Sequence, residues 1–252
     1  MLLSVEELER SFGGVRALDG AAVQVARGEV HGLIGPNGAG KTTLLNVVSG
    51  LFPPTRGRIL LGGDRIDGLP PHRIASLGIT RTYQNIRLFP GLTALENVMV
   101  GAHLVRPGDT LRRMFFLPSA RADEARARDA ALQLLSRVGL RERAHDRVSG
   151  LSYGDQRRVE IARALASSPR LVLLDEPTAG MNAAEVQAVA AVIRQVATQG
   201  QSVLLVEHNV QLVMQVCDRI TVLNFGKVIA HGEPAYVAGH PEVIAAYLGT
   251  AA

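Results

Sequence analysis

Residues 35–43 read G-P-N-G-A-G-K-T-T, and the rest of the chain is best understood from this stretch. It matches the phosphate-binding loop pattern G-x-x-x-x-G-K-[ST], with Gly35, Gly40, Lys41 and Thr42 at the fixed places. In such a loop, backbone N–H groups point at a polyphosphate and the lysine supplies positive charge for the β- and γ-phosphates. The hydroxyl of the Ser or Thr at the end of the pattern, here Thr42, is a ligand for a partly hydrated Mg²⁺. We therefore predict that a nucleotide's phosphates are bound by Gly35, Pro36, Asn37, Gly38, Ala39, Gly40, Lys41, Thr42 and Thr43.

The segments on either side of the loop support this prediction. Residues 30–35 form a short apolar run typical of a strand, and residues 42–49 have the composition of a helix that Gly50 can end. The anion would lie at the positive N-terminus of that helix. The alternative is a glycine-rich turn that contains a lysine by chance, and it leaves the strand and the helix unexplained.

Composition limits the class of protein. The chain has 252 residues, 47% hydrophobic and only 4% aromatic, which predicts one α/β unit with an aliphatic core. The net charge of +4 suits an anionic ligand or a membrane surface but is too small to argue for nucleic acid. Cys217 is the single cysteine, which excludes an intramolecular disulfide. We find no signal peptide and no run of about 20 apolar residues, so we expect a soluble protein that reaches a membrane only through a partner.

The pattern along the chain predicts a mostly parallel sheet with two additions. Short β-like runs within residues 1–34 and a hairpin signal at 58–63 predict a small antiparallel sheet, and 79–84 reads as a further strand. Residues 85–165 change character and include an amphipathic helix around 131–138, with an irregular stretch at 106–121. Apolar strands at 171–174 and 203–206 then alternate with helices. We predict one α/β domain, 1–252, built from an ATP-binding core with antiparallel β subdomain (1–84), an inserted α-helical subdomain (85–165) and the rest of the core (166–252).

Two carboxylates follow one of the predicted parallel strands. Residues 171–174 are fully apolar and end in Asp175 and Glu176. Ligands of such sheets bind at the carboxyl ends of the strands. We predict that Asp175 holds Mg²⁺ through water and that Glu176 polarises the water that attacks the γ-phosphate. In the alternative interpretation, both acids simply cap the next helix.

Three more segments contribute candidate residues where strands end or helices begin. Ser152, in L-S-Y-G-D-Q-R-R, is a plausible N-cap whose hydroxyl, with the Gly154 N–H, would point from a positive helix end towards a phosphate. Gln84 closes R-T-Y-Q just before the composition changes, and His208 follows the strand at 203–206. Taken alone, each has an ordinary structural explanation, since a lone histidine is usually structural and this helix start is common.

Taken together, these motifs resemble those of the ABC-type ATPases, in the same order along essentially the whole chain. Residues 151–155 resemble the signature L-S-G-G-Q, with Tyr153 and Asp155 as departures; we expect the Asp155 carboxylate to repel a γ-phosphate. The resemblance implies that Gln84 touches Mg²⁺ and water, and that His208 contacts the γ-phosphate and orients Glu176. It also implies that Phe12 stacks on adenine, although a core phenylalanine beside a turn is an equally simple interpretation.

The resemblance further implies the assembly. Two ATPase subunits, identical or paralogous, stack head to tail with ATP and Mg²⁺ between Lys41 of one and Ser152 of the other. They drive two integral membrane permease subunits from the cytoplasmic face of the inner membrane. R-T-Y-Q-N-I-R-L-F-P, E-P-T-A-G-M-N and P-E-V-I-A-A-Y-L-G look like the ATPase subunits of branched-chain amino acid importers, which would add a periplasmic solute-binding protein as an indirect partner.

Three alternatives remain open on the residues alone. Related ATPases serve urea, amide or lipopolysaccharide transport. A soluble ABC ATPase in cofactor assembly carries the same motifs without a transporter. A small-molecule kinase with the same loop is a poor alternative, because it leaves residues 151–156 and His208 without a role.

Overall fold

The computed structural model describes residues 1–102 and 118–248, which form two β-sheets with surrounding helices. The strands are β1 (Leu3–Phe12), β2 (Val15–Val25), β3 (Val30–Ile34), β4 (Arg56–Leu61), β5 (Asp64–Arg65), β6 (Ile79–Arg81), β7 (Leu171–Asp175), β8 (Ser202–Val206), β9 (Arg219–Asn224) and β10 (Lys227–Gly232). The α-helices are α1 (Lys41–Val48), α2 (Pro71–Ser76), α3 (Ala94–Ala102), α4 (Pro118–Arg137), α5 (Tyr153–Leu165), α6 (Ala183–Thr198), α7 (Val210–Val216), α8 (Pro234–Ala238) and α9 (Pro241–Leu248).

The larger sheet has the strand order β10-β9-β3-β8-β7-β6. Neighbouring strands from β9 to β6 are parallel, and β10 runs antiparallel to β9. This confirms the predicted mostly parallel sheet. Strands β3, β7 and β8 are central and buried on both faces, which is why they read as continuous apolar runs.

The smaller sheet is antiparallel, in the order β2-β1-β4-β5. It confirms the predicted antiparallel subdomain, and the β4–β5 hairpin turns at Gly62-Gly63 as the sequence indicates. Strands β1 and β2 are 10 and 11 residues long, so they are longer than the short runs expected. Register shifts interrupt their pairing and allow long strands to bend.

Alternate residues of the central strands face two different cores. Leu171 and Leu173 pack with the small sheet and α1, whereas Val172 and Leu174 pack with the helices on the opposite face. The period of two along β7 thus places one apolar set on each side of the sheet. The phosphate loop, between β3 and α1, therefore rests on a sheet that is covered on both faces.

A group of helices lies within the predicted insertion. Helix α3 packs against α4 and α5, and Ala131, Leu135 and Val138 are buried as the amphipathic pattern predicts. Gly101 lets α3 approach α5 closely, because a Cβ at this position would lie 2.1 Å from the carbonyl oxygen of Arg163. The subdomain boundaries at 84 and 165 stay predictions. Residues 106–121 lie outside the described residues except for 118–121, where α4 begins.

The strand predicted at 79–84 is wrong in its length. β6 ends at Arg81, after which the Thr82 N–H still donates to Leu173 O at 3.0 Å. The next two carbonyl groups, of Tyr83 and Gln84, accept hydrogen bonds from the Arg157 guanidinium, each at 2.6 Å. A side chain has thus taken the place of a strand partner. Within residues 1–102 and 118–248, none of the helices has the length and apolar character to cross a bilayer.

Candidate nucleotide-binding and hydrolysis site

The phosphate loop requires glycine at two points for steric reasons. A Cβ on Gly35 would lie 2.1 Å from Leu223 O, and one on Gly40 would lie 2.5 Å from Ala17 O. Both residues have positive φ, 150° and 105°. The turn between β9 and β10 buttresses the loop, since the Gly226 N–H donates to Ala39 O at 2.9 Å. The loop is therefore shaped by close backbone contacts from β2 and β9.

Lys41 is the first residue of α1 and only 6% of it is exposed. Its Nζ donates to Gly35 O at 2.7 Å and to Pro36 O at 2.9 Å. Burial lowers the pKa of Lys41, and the nearby carboxylates of Glu176 and Asp175 oppose that shift. The loop thus holds its own lysine in reach of whatever anion it binds. A cavity of about 190 Å³ is lined by residues 37–43 together with Ala17, Glu176 and His208.

Glu176 lies between two side chains at the wall of this cavity. His208 Nε2 is 2.9 Å from Oε1 of Glu176, and Gln84 Nε2 donates to Oε2 at 3.0 Å. These three residues come from the ends of β7, β8 and β6, three parallel strands that end at the same edge of the sheet. Glu176 has a φ of 47°, a left-handed conformation that non-glycine residues adopt at a cost and that is common at functional sites. The structure therefore brings the three predicted catalytic residues together.

Asp175 is buried at the end of β7, with a partner that the motif search missed. Its Oδ2 accepts a hydrogen bond from Arg81 Nη2 at 3.0 Å, and both side chains are at most 6% exposed. The other terminal nitrogen of Arg81 donates to Asn46 Oδ1 at 2.7 Å, on α1. The only available sequence signal is the charge of Arg81 within an otherwise strand-like run.

The predicted metal ligands are chemically suited to magnesium. Thr42, Asp175 and Gln84 would supply hydroxyl, carboxylate and amide oxygens, the hard donors that Mg²⁺ prefers. Because Gln84 uses its Nε2 to reach Glu176, its Oε1 is the atom left for a metal. Within the residues that the structure describes, there is no group of three or more His, Cys, Asp or Glu side chains that could hold a metal ion. Water and phosphate oxygens would have to complete such a site.

The structure does not bring Ser152 and Gly154 to the phosphate loop of the same chain. Neither residue lines the cavity beside Lys41. Ser152 is the N-cap of α5, as predicted, and its hydroxyl accepts a hydrogen bond from the Asp155 N–H at 3.1 Å. A Cβ on Gly154 would meet the Glu185 side chain at 2.8 Å. Ser152 is exposed and Gly154 is buried beside Glu185, so both residues lie at the start of α5 and apart from the phosphate-loop cavity.

The expected repulsion from Asp155 is reduced by two arginines. Arg143 Nη1 donates to Asp155 Oδ2 at 2.6 Å, and Arg158 binds the other carboxylate oxygen. Only 9% of Asp155 is exposed. Its charge is thus compensated within the chain.

Helix α5 also holds the segment that contains Gln84. Arg157 is fully buried, and besides the Tyr83 and Gln84 carbonyls it binds Glu160 Oε2 at 2.7 Å. Burial raises the pKa of Glu160, although Arg157 opposes the shift. The motif search missed Arg157, because an arginine in a helix ordinarily indicates an exposed position.

Phe12 is 40% exposed, so it is not a core residue. Its ring meets the edge of Phe52 with centroids 5.3 Å apart, and the Arg10 guanidinium lies 4.7 Å from its centroid. It does not line the cavity at residues 37–43. Its stacking on adenine stays a prediction.

The chain matches the model of the family described as ABC transporter over residues 18–179. Residues 227–252 match a second model, described as branched-chain amino acid ATP-binding cassette transporter. The chain is 43% identical over 251 residues to the high-affinity branched-chain amino acid transport ATP-binding protein BraF of Pseudomonas aeruginosa, covering 99% of this chain and 98% of BraF.

Two solved structures are similar along nearly the whole fold. The ADP conformation of MJ1267, an ATP-binding cassette of an ABC transporter, superposes with a TM-score of 0.85 at 29% identity and covers 98% of both chains. A dimeric post-hydrolysis state of the cassette MJ0796 bound to ADP and Pi has a TM-score of 0.76 at 26% identity, covering 92% of this chain and 98% of that one.

Proposed function

Because this chain belongs to the ABC transporter family of ATP-binding proteins, we propose that it energises a bacterial importer of branched-chain or other hydrophobic amino acids. It is an ATP-hydrolysing subunit, homologous to the ATPases of such importers. The match of residues 227–252 to a branched-chain amino acid model supports this substrate class over urea, amide or lipopolysaccharide transport. It also favours a transporter over a soluble assembly ATPase.

The observation that carries the proposed chemistry is the position of Glu176. Its carboxylate is bound by His208 and Gln84 at the wall of the cavity that Lys41 also lines. A carboxylate held in this way orients and polarises a water molecule for in-line attack on the γ-phosphate. His208 then fixes the orientation of Glu176 and faces the phosphate that is transferred.

The phosphate loop supplies binding and charge. Its N–H groups and Lys41 stabilise the negative oxygens of the triphosphate, and Lys41 would exchange its two carbonyl partners for phosphate oxygens. Thr42, Asp175 and Gln84 would hold Mg²⁺, which neutralises charge on the β- and γ-phosphates when bound. Phe12 would offer its exposed ring to the adenine.

The start of α5, with Ser152 exposed and Gly154 buried beside it, needs a second subunit in this proposal. Within one chain these residues lie apart from the phosphate loop, and the related cassette MJ0796 is dimeric with ADP and Pi. We propose a head-to-tail pair of ATPases, identical or paralogous, in which each start of α5 faces the other chain's nucleotide. The pair would bind two permease subunits at the cytoplasmic face of the inner membrane, and a periplasmic solute-binding protein would act through the permease.

Magnesium-dependent ATP hydrolysis by the parent and by Glu176→Gln tests the chemistry. We expect about 100-fold or greater loss of turnover in this variant with ATP binding retained, since general-base contributions are on the order of 10²–10⁴. Glu142→Gln, an exposed change of the same kind, is the control and should match the parent. Unchanged turnover in Glu176→Gln would rule out the assigned base.

Transport itself is tested by purifying this chain from its native membranes and reconstituting it with any integral membrane protein that co-purifies. We expect co-purification with an integral membrane protein, and ATPase activity in proteoliposomes that rises when a loaded branched-chain amino acid binding protein is added. Stimulation by a different solute class alone would reject the proposed substrate. Co-purification with a soluble scaffold would favour the assembly ATPase.

A further inference from the structure

Glu207 is a buried carboxylate that joins two distant segments of the chain. It is 3% exposed, and its Oε1 accepts hydrogen bonds from the Thr178 backbone N–H at 2.9 Å and from the Thr178 hydroxyl at 2.6 Å. Its Oε2 accepts from the backbone N–H of His208 at 3.0 Å and of Asn209 at 3.4 Å. One side chain thus ties the turn after β7 to the turn after β8.

The carboxylate of Glu207 depends on the hydrogen bonds that the two turns donate to it. A buried ionised group is costly unless hydrogen bonds satisfy it, and hydrogen bonds to an ionised acceptor are about twice as strong as neutral ones. All four hydrogen bonds to Glu207 come from donors on the two turns. The carboxylate is therefore stabilised only while both turns keep their present arrangement.

The same two turns carry the proposed catalytic pair. Glu176 lies two residues before Thr178, and its N–H donates to Val206 O at 2.9 Å. His208 follows Glu207 directly and contacts Glu176 at 2.9 Å. We infer that Glu207 is a positioning residue for ATP hydrolysis: by binding Thr178 and the His208 backbone at once, it sets the distance between Glu176 and His208. This inference rests on the function proposed above.

Glu207→Gln would keep the shape of the side chain, but the new side chain could not accept hydrogen bonds from both turns. Its amide has one oxygen and one NH₂ group, so an N–H donor of one turn would face another donor. The turn that carries His208 or the turn that carries Glu176 must then shift. Thr178→Val is a milder change, because it removes the hydroxyl donor and keeps the backbone N–H.

Steady-state kinetics of Glu207→Gln, His208→Ala and the double variant test the inference. We expect Glu207→Gln to lower kcat about 10- to 100-fold, with KM for ATP within about 2-fold of the parent. In the His208→Ala background the same change should lower kcat by less than about 3-fold, because residues that act as a unit are not additive. Equal losses in both backgrounds, or an unchanged kcat in Glu207→Gln, would overturn it.

Thr178→Val keeps the test decisive if Glu207→Gln does not fold. We expect a loss of about 3- to 10-fold in kcat that disappears in the His208→Ala background, while Thr178→Ser matches the parent. A loss that persists without His208 argues for a purely structural role. ATP binding by the parent is measured separately, so a parent that binds or hydrolyses no ATP contradicts the proposed function rather than this inference.

Discussion

Arg81 and Asp175 form a buried ion pair in which Nη2 lies 3.0 Å from Oδ2. Arg81 also donates to Asn46 Oδ1 at 2.7 Å and to Ser49 Oγ at 3.1 Å on and next to α1. One guanidinium thus joins β6, the end of β7 and the helix after the phosphate loop. The carboxylate that we assign to the metal therefore shares its charge with an arginine.

Replacing Arg81 with methionine should strongly destabilise the fold. The change leaves Asp175 charged and unpaired in a buried place, and breaking a buried pair in this way costs about 3 kcal/mol or more. Urea denaturation measures the free energy of unfolding. Arg58→Met is the control, since Arg58 pairs with Glu6 on the surface and 61% of its side chain is exposed.

The double variant Arg81→Met/Asp175→Asn separates charge from packing. If the unpaired carboxylate is the cause, the second change restores much of the stability that Arg81→Met loses. Additive losses would show that the packing of the arginine, and not its charge, stabilises the site.

Asp155 should contribute to stability through its two arginines. Asp155→Asn removes the charge that Arg143 and Arg158 share, and we expect Tm to fall by about 2–5 °C. Asp146→Asn is the matched control, because Asp146 also pairs with Arg143 but 51% of its side chain is exposed. Calorimetry compares the two variants, and an equal effect on Tm would contradict the importance of the Asp155 position.

Cys217 should be protected from thiol reagents. It is buried, and burial raises the pKa of its thiol to about 12, so very little thiolate exists at neutral pH. We expect labelling by a disulfide reagent near pH 8 to be about 100-fold slower in the folded protein than in guanidinium chloride. As this is the single cysteine, the absorbance of the released thiolate reports on it alone. Equal rates in the two states would contradict the buried position.

His231 should make the stability fall in mild acid. His231 is exposed as a whole, but partial burial of its ring lowers its pKa, as do His31, whose ring stacks on it at 5.6 Å, and Arg219; Glu29 opposes the shift. The folded state then takes up a proton less readily than the unfolded one. The contribution of His231 to the free energy of unfolding is fully present above the unfolded-state pKa of about 6.5. It is lost as the pH falls through the lower pKa of the folded state.

The variant His231→Gln tests this pH dependence. Its urea midpoint should fall less than that of the parent between about pH 7 and pH 5. His72→Gln changes a histidine on α2, in another part of the fold, and should keep the parent's dependence. If all three proteins lose stability in parallel, another group is responsible.

Much of the fold could be predicted because its signals are local. The phosphate loop needs glycines and a lysine at fixed, closely spaced positions, and backbone crowding around Gly35 and Gly40 explains the two glycines. The apolar runs of β7 and β8 predict buried parallel strands, since both faces of these strands are covered. Ser152 caps α5 through a bond to a residue three positions away, which a motif can encode.

The residues that escaped prediction are polar groups buried by partners far along the chain. Arg81 and Asp175 are 94 positions apart, and Glu207 and Thr178 are 29 apart. An arginine or glutamate in isolation indicates an exposed position, because burial without a partner is too costly. The same cause shortened the strand predicted at 79–84, where Arg157 binds the carbonyls that a longer strand would have paired.

The order of residues alone was enough to specify the phosphate loop, the alternation of strands and helices and the family resemblance, because each depends on neighbours within a few positions. The three-dimensional arrangement alone placed Glu176 within reach of His208 and Gln84, Glu207 within reach of Thr178, and Arg81 within reach of Asp175. Such contacts form where the ends of separate strands meet, and whether a buried charge is stable there depends on which donors the fold brings to it.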